Sequence, residues 1–389
     1  MPAIDPGTLL AGLDANTLQA RGWPERHFLL NDALPRLPRR LQALAAEPVL
    51  SLFDRYRGRL SFGRGAKTVQ SLDSAAHPAH LFAMGLTVYL HDLTPWYAEL
   101  PPLLAKLEQE LQIPAGSARL AAFASPQGDG LPAHFDGEDV ISIQLQGRKR
   151  FCVAPVEGLQ WPVGPQFGPD MLPADDLYPQ CAENGFPVDI PADAETITMQ
   201  PGSVLFLPRG IWHQTEALVD SLSLSIVLRP PTLADALLRE LKQRLLQEPA
   251  WRQPLYGASD LAGQAGALLA ELPTLTSSID AQSLLPGKAA DERLRRATFL
   301  RIPGSTLTLE SASPALQLTV TARDAAWIER ITLQRPVGAN LAPALQWIAE
   351  RRTAFDLATL RQQVPGLPPD SYLNLIRGLA EAALLRVLG

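Results

Sequence analysis

Hydrophobic and polar positions along this chain change period three times. Up to about residue 120, short apolar runs alternate with helical pieces broken by proline. The clearest is 102-PLLAKLEQELQIPAG-116, where Leu103, Leu104, Leu107 and Leu111 share one helical face and Pro114 stops the helix. From about 117 to 229 the texture becomes that of short strands: 118-ARLAAFAS-125, 139-DVISIQLQG-147, 150-RFCVAPV-156, 195-ETITMQPGSVLFLPRG-210 and 221-SLSLSIVLRP-230. Alternation in VISIQLQ and SLSLSIV reads as half-buried strands, with Gly and Pro marking the turns. Many short strands separated by turns predict a sandwich or a barrel.

Beyond Pro231 the pattern turns helical. Thr232 followed by Asp235 has the spacing of a capping box, and Leu233, Leu237, Leu238, Leu241 and Leu245 then line one face. The Ala- and Leu-rich stretch to about 297 reads as a helical module whose stripe is either core or a dimer seam. The remaining residues open with strand patterns at 306-TLTLES-311 and 316-LQLTV-320. Three helices are expected after them, at 342–352, 356–364 and 369–388, an order that resembles a winged helix. No internal repeat or low-complexity tract interrupts the chain.

Composition narrows the class. With 389 residues there is room for two or three domains, each with its own core. Hydrophobic residues at 46% and charged residues at 19% are globular values, which excludes a disordered chain. A net charge of −6 argues against general affinity for nucleic acid, so direct nucleic-acid binding is not expected. No run is long enough to span a membrane, and the opening MPAIDPGTLLAG lacks the basic and apolar blocks of a secretory leader. Cys152 and Cys181 are too few for a disulfide framework, which makes a reducing cytoplasm the expected compartment.

Candidate chemistry gathers in 132-PAHFDGEDVISIQLQGRKRF-151 and 201-PGSVLFLPRGIWHQ-214. In an extended segment, residues two apart point the same way, so His134 and Asp136 project together. His213, expected at the end of another strand, can supply a third ligand. Two imidazoles and one carboxylate form a facial triad that leaves open positions on a non-haem iron(II). Glu138 shares parity with Asp136 and is the rival carboxylate; His-x-Asp is the tighter chelate. The remaining histidines, His27, His77, His80 and His91, read as structural or surface residues, the His77-x-x-His80 spacing included. Residues alone leave Arg148, Lys149 and Arg150 as a solvated hairpin turn. Asp129, Glu138 and Asp139, with Asp170, Asp175 and Asp176 of the 157–195 insert, read as an acidic rim that would attract a cationic partner.

The stretches HFDGEDVISIQLQGRKRF and PGSVLFLPRGIWH resemble the JmjC and cupin-type 2-oxoglutarate oxygenases, and the order of parts resembles the ribosomal oxygenases among them. That resemblance implies a mainly β fold with α appendages: a double-stranded β-helix barrel at 1–231, a helical dimerisation module at 232–297 and a winged-helix-like domain at 298–389. It implies Fe(II) on His134, Asp136 and His213, with 2-oxoglutarate as cosubstrate. The basic residue fifteen positions after the first His, here Lys149, would hold the far carboxylate of that cosubstrate. Bacterial arginine-hydroxylating members carry Arg at that position, whereas animal ribosomal oxygenases carry Lys. Ser223 and Ser225 would meet the metal-side carboxylate. The implied activity is hydroxylation of an amino-acid side chain in a protein or peptide, with a ribosomal protein as a candidate partner and a homodimer as the assembly. Two other classes stay open: a biosynthetic oxygenase for a peptide natural product or small metabolite, and a non-catalytic binding protein on the same barrel.

Overall fold

The structure, a computed structural model, describes residues 9–388 except 57–58, 65–69, 73–77, 95–96, 98–99, 115, 165, 169–179, 181–188, 255–260, 278, 280, 285–293, 313–314 and 324–327. His77, Cys181, Asp170, Asp175 and Asp176 therefore lie outside the described residues. The chain divides into two compact units, Met1–Thr232 and Leu233–Gly389. No helix among the described residues is long and apolar enough to cross a membrane.

Among the described residues, the first unit carries eleven strands. In chain order they are β1 (Phe28–Leu30), β2 (Leu60–Gly63), β3 (Gln70–Leu72), β4 (Thr87–Leu90), β5 (Ala118–Ser125) and β6 (Asp139–Gln146). After these come β7 (Lys149–Pro155), β8 (Glu195–Met199), β9 (Val204–Leu207), β10 (Ile211–Ala217) and β11 (Ser221–Leu228). Eight form one antiparallel sheet in the order β1-β9-β6-β11-β5-β4-β2-β3, and three form a second in the order β10-β7-β8. Residues of both sheets line one cavity of about 670 Å³, as expected of a double-stranded β-helix.

The alternation in β11 works differently from a half-buried strand. Leu222, Leu224, Ile226 and Leu228 pack into the main core beneath the large sheet. Their neighbours Ser221, Ser223, Ser225 and Val227 are buried too. All eight residues are buried because the second face looks into the barrel instead of bulk water. The same division holds in β6, where Ile141, Ile143 and Leu145 join the core while Val140 and Ser142 line the cavity. In β5, Leu120, Ala122 and Ala124 join the core while Arg119 and Phe123 face the cavity.

Turns set the strand positions. Gly147 joins β6 to β7 with φ +69°, and a Cβ there would come within 2.1 Å of the Asp220 carbonyl oxygen. Glycine alone fits that turn, which starts β7 at Lys149. Strand β10 was not anticipated as a separate element, and His213 is its third residue instead of the end of the preceding strand. The positive-φ Gly210 turns the chain after β9, and a new strand begins.

The second unit opens with two exposed helices, Leu233–Leu245 and Leu261–Ser277. Among the stripe residues Leu233 is 71% exposed and Leu238 62%, so the stripe is not core within this chain. Two three-stranded sheets follow, β12 (Thr298–Arg301), β13 (Thr306–Ala312), β14 (Ala315–Arg323), β15 (Glu329–Val337), β16 (Phe355–Asp356) and β17 (Leu385–Leu388). Helices Ala342–Glu350, Leu357–Gln363 and Pro369–Glu381 pack with these strands around Phe299, Leu345, Ile348, Leu360 and Ile376. The last expected helix stops at Glu381. Residues 385–388 instead form β17, which pairs with β12 along its whole length. Val387 and Leu385 are more useful as a sheet edge beside Phe299 than as another helical turn.

The two faces of β11 should respond differently to truncation. Leu224→Ala is expected to cost about 2–5 kcal/mol in denaturant unfolding, because it opens a void in a packed core. Ser225→Ala, one residue on and facing the cavity, should cost about 1 kcal/mol or less.

Candidate metal and cosubstrate site

The segment before β6 is fastened to β10 by backbone bonds. Ala217 N donates to Asp129 O at 2.8 Å, Thr215 N to Leu131 O at 3.0 Å, and His213 N to His134 O at 2.7 Å. His134 N returns a bond to His213 O at 3.1 Å, which makes the two histidines directly opposed partners. The approach is so close at Gly130 that a Cβ would lie 1.9 Å from the Thr215 carbonyl oxygen. Asp136 follows two residues after His134 in the same extended stretch. Its Oδ2 is 3.6 Å from His213 Nε2.

One ligand atom each from His134, Asp136 and His213 lies within 4.8 Å of the others. That spacing would let the three residues hold one metal ion between them. The imidazoles are already in the required tautomer. His134 Nδ1 lies 2.7 Å from Pro132 O, and His213 Nδ1 lies 3.0 Å from Ile211 O. A carbonyl only accepts, so each Nδ1 must donate, and each Nε2 keeps its lone pair for a metal. Burial holds the His134 pKa well below its ordinary value, with His213 adding to the effect, so the ring is neutral and ready to ligate. Burial also raises Asp136, partly offset by His213; a bound cation would reverse that by favouring the carboxylate. Glu138 is not part of this set. It is paired with Arg229.

Lys149 opens β7 and is 2% exposed, whereas Arg148 and Arg150 on either side are exposed. Arg150 turns outward to an ion pair with Glu216. The Lys149 ammonium lines the same cavity as the three ligands. Its hydrogen-bond partner is Ser125 Oγ, at a long 3.5 Å. Burial lowers its pKa to about 8 against the opposing pull of Asp129. A buried ammonium with so weak a partner is suited to receive an anion. Ser223 and Ser225 lie on β11 and line the same cavity, buried to 3% and 8% exposure. All six residues singled out in the sequence thus meet in one chamber.

Residues 104–236 match the family model described as the JmjC domain. The matched JmjC region contains all six of those residues. The chain is 33% identical over 155 residues to the uncharacterized protein YxbC of Bacillus subtilis, an alignment covering 39% of this chain and 46% of that protein. It is 23% identical over 171 residues to the bifunctional lysine-specific demethylase and histidyl-hydroxylase NO66 of Drosophila persimilis, covering 43% of this chain and 22% of that one. It thus spans less than half the length of these two relatives. Escherichia coli YcfD, in a structure described as a ribosomal oxygenase with cobalt and 2-oxoglutarate, aligns over 97% of this chain and 99% of its own, at 18% identity and a TM-score of 0.43.

Other parts of the chamber were not legible beforehand. His91, read as structural, lines it and pairs through Nε2 with Ser61 Oγ at 2.7 Å. Tyr89, Phe123, Thr215 and Arg119 line it as well. The one sequence signal was a charged or polar residue inside an otherwise apolar strand, as with Arg119 in ARLAAFAS. His27 stays outside, paired with Glu195 at 2.9 Å, and His80 is exposed.

Of the expected acidic rim, Asp129, Glu138 and Asp139 are described, and each is bonded within the fold. Asp129 is 6% exposed and accepts from Thr87 N and Oγ1 at 3.1 and 2.7 Å. Asp139 is bound by Arg209 at 3.0 Å through both backbone and side chain. Glu138 is held by Arg229, so all three of these carboxylates have a cationic or hydrogen-bonding partner inside the fold.

The Lys149 titration gives a test of the site. The ammonium must be charged to hold a carboxylate, and in the free chamber it loses its proton as pH rises through about 8. Calorimetric affinity for 2-oxoglutarate should therefore be level below pH 8 and fall above it, approaching about tenfold per pH unit. Affinity that stays level to pH 10 would separate Lys149 from the cosubstrate.

Proposed function

We propose that this chain is an Fe(II)- and 2-oxoglutarate-dependent oxygenase that hydroxylates a side chain of a protein or peptide. The observation that carries the reading is the presence, in one chamber, of a His-Asp-His ligand set and a buried lysine short of a partner. Neutral nitrogens and one carboxylate on one side suit iron(II) with open positions. When bound, Fe(II) and 2-oxoglutarate supply the activation of dioxygen: the keto acid is oxidised and decarboxylated to succinate, and a substrate C–H becomes C–OH.

The chain's own residues do the positioning. Pro132 O and Ile211 O fix the ring orientations of His134 and His213. Lys149 receives the far carboxylate of the keto acid at the inner end, and Ser223 and Ser225 offer hydroxyls to its metal-side carboxylate. Phe151 and Phe123 flank this space and keep water from it. A chamber of about 670 Å³ is in the range that admits a ligand as well as a small cosubstrate.

A side chain of a protein is the substrate class suggested by the histidyl-hydroxylase name of the Drosophila relative. A ribosomal protein is one candidate, on the sequence resemblance alone. The exposed Leu233, Leu237 and Leu238 support a homodimer through the helical module, and the helices and small sheets after residue 298 support a winged-helix-like domain. A cytoplasmic location belongs to the same proposal.

His134→Ala should lower succinate formation from 2-oxoglutarate to the protein-free background. Its unfolding midpoint should stay near that of the parent, since the ring lines a cavity and is not part of the core. Retained succinate formation would refute the assignment of the metal set.

A further inference from the structure

The outer half of the chamber carries a cation that nothing in the proposed chemistry uses. Arg119 lies on β5 opposite Val227 of β11, six residues from Ser125 near the Lys149 end. At about 3.3 Å per residue, that places its backbone about 20 Å along the strand from Ser125. Arg119 and Lys149 therefore serve opposite ends of the chamber. Arg119 lines the cavity, and its Nε is buried without a hydrogen-bond partner among the described residues.

Among the described residues, the carboxylates near it are committed elsewhere. Asp136 belongs to the metal set, and Glu138 is in an ion pair with Arg229. Asp129 lies towards the other end, bonded to Thr87 and acting on Lys149. Beside Arg119 the wall is aromatic. Tyr89 stacks on Phe123 at 4.3 Å and meets the edge of His91 at 4.4 Å, and all three rings line the cavity. A guanidinium with an unused donor, set in a part-apolar pocket, selects a planar anionic acceptor that accepts two N–H bonds at once.

We propose that Arg119 is a specificity-determining residue that captures a carboxylate of the hydroxylated substrate, with the body of the substrate against Tyr89, His91 and Phe123. The inference rests on the proposed oxygenase reading, because it takes the outer half of the chamber as the substrate's. It reverses the sign expected from the sequence: the group that enters beside the metal is anionic. The carboxylate has two sources, an acidic side chain or a main-chain terminus.

The test uses the full chain loaded with Mn(II) and saturating 2-oxoglutarate, both of whose affinities are measured first. Four probes follow: N-acetyl-aspartate 1-amide for a side-chain carboxylate, N-acetyl-alanine for a terminal one, and the amides of N-acetyl-alanine and N-acetyl-lysine as neutral and cationic controls. Paramagnetic relaxation of the probe protons by Mn(II) reports binding near the metal. At least one carboxylate probe should bind about tenfold or more tightly than both controls, and which one does so identifies the source. Arg119→Gln should remove that preference while 2-oxoglutarate affinity stays unchanged. Arg119→Lys, which keeps the charge without the fork, should keep part of it. A preference for the lysine amide, equal binding of all four probes, no binding of either acid, or a preference that survives Arg119→Gln overturns the inference. Loss of Mn(II) or 2-oxoglutarate binding in the parent chain overturns the oxygenase reading, and this inference with it.

Discussion

The site depends on one pair of backbone hydrogen bonds, those exchanged by His134 and His213. They lock the loop before β6 against β10 in a register that opposes the two imidazoles, whose ring centroids lie 4.0 Å apart. A slip of one residue would turn one ring out of the chamber, because side chains alternate faces along extended chain. The ladder from Asp129 to His134 and the absence of a side chain at Gly130 make such a slip costly. Asp136 then needs no scaffold of its own, since two residues of extended chain carry it to the same side as His134.

The second constraint is that the barrel interior carries buried polar groups. The central strands β5, β6 and β11 of the large sheet set one face against an apolar core and the other around a chamber lined by Ser142, Ser223, Ser225, Lys149 and the ligand set. Burying such groups without full partners costs stability, and the core beneath the sheet must offset it. Leu120, Ile141, Ile143, Leu224 and Ile226, each fully buried, supply that support from the opposite faces of the same strands. The alternating sequence thus holds the fold with one parity and builds the site with the other.

That division explains what could be read in the sequence. Strand patterns at 118–125, 139–147 and 221–230 are legible in the sequence, and the six candidate site residues follow from the His-x-Asp pattern and the family resemblance it supports. The serines of SLSLSIV could not be assigned by alternation, because a ligand-binding chamber and bulk solvent select the same polar residues. His91 and Arg119 were missed for a related reason: Ser61 bonds His91, and Tyr89 feels the charge of Arg119, across elements distant in sequence, so these neighbours are visible only in the folded chain. The three described members of the expected acidic rim show the opposite case. Asp129, Glu138 and Asp139 have the composition of a charged surface, yet Thr87, Arg229 and Arg209 bind them, and none of those contacts has a sequence signature.

The central claim is that one chamber holds a metal on three named side chains and a keto acid on Lys149 at the same time. A crystal structure of the chain grown anaerobically with Fe(II) and 2-oxoglutarate tests it most directly. The account predicts iron bonded to His134 Nε2, His213 Nε2 and an Asp136 carboxylate oxygen, with the far carboxylate of 2-oxoglutarate in hydrogen-bond contact with Lys149 Nζ. Iron bound by other residues, or a keto acid whose far carboxylate points away from Lys149, would contradict it.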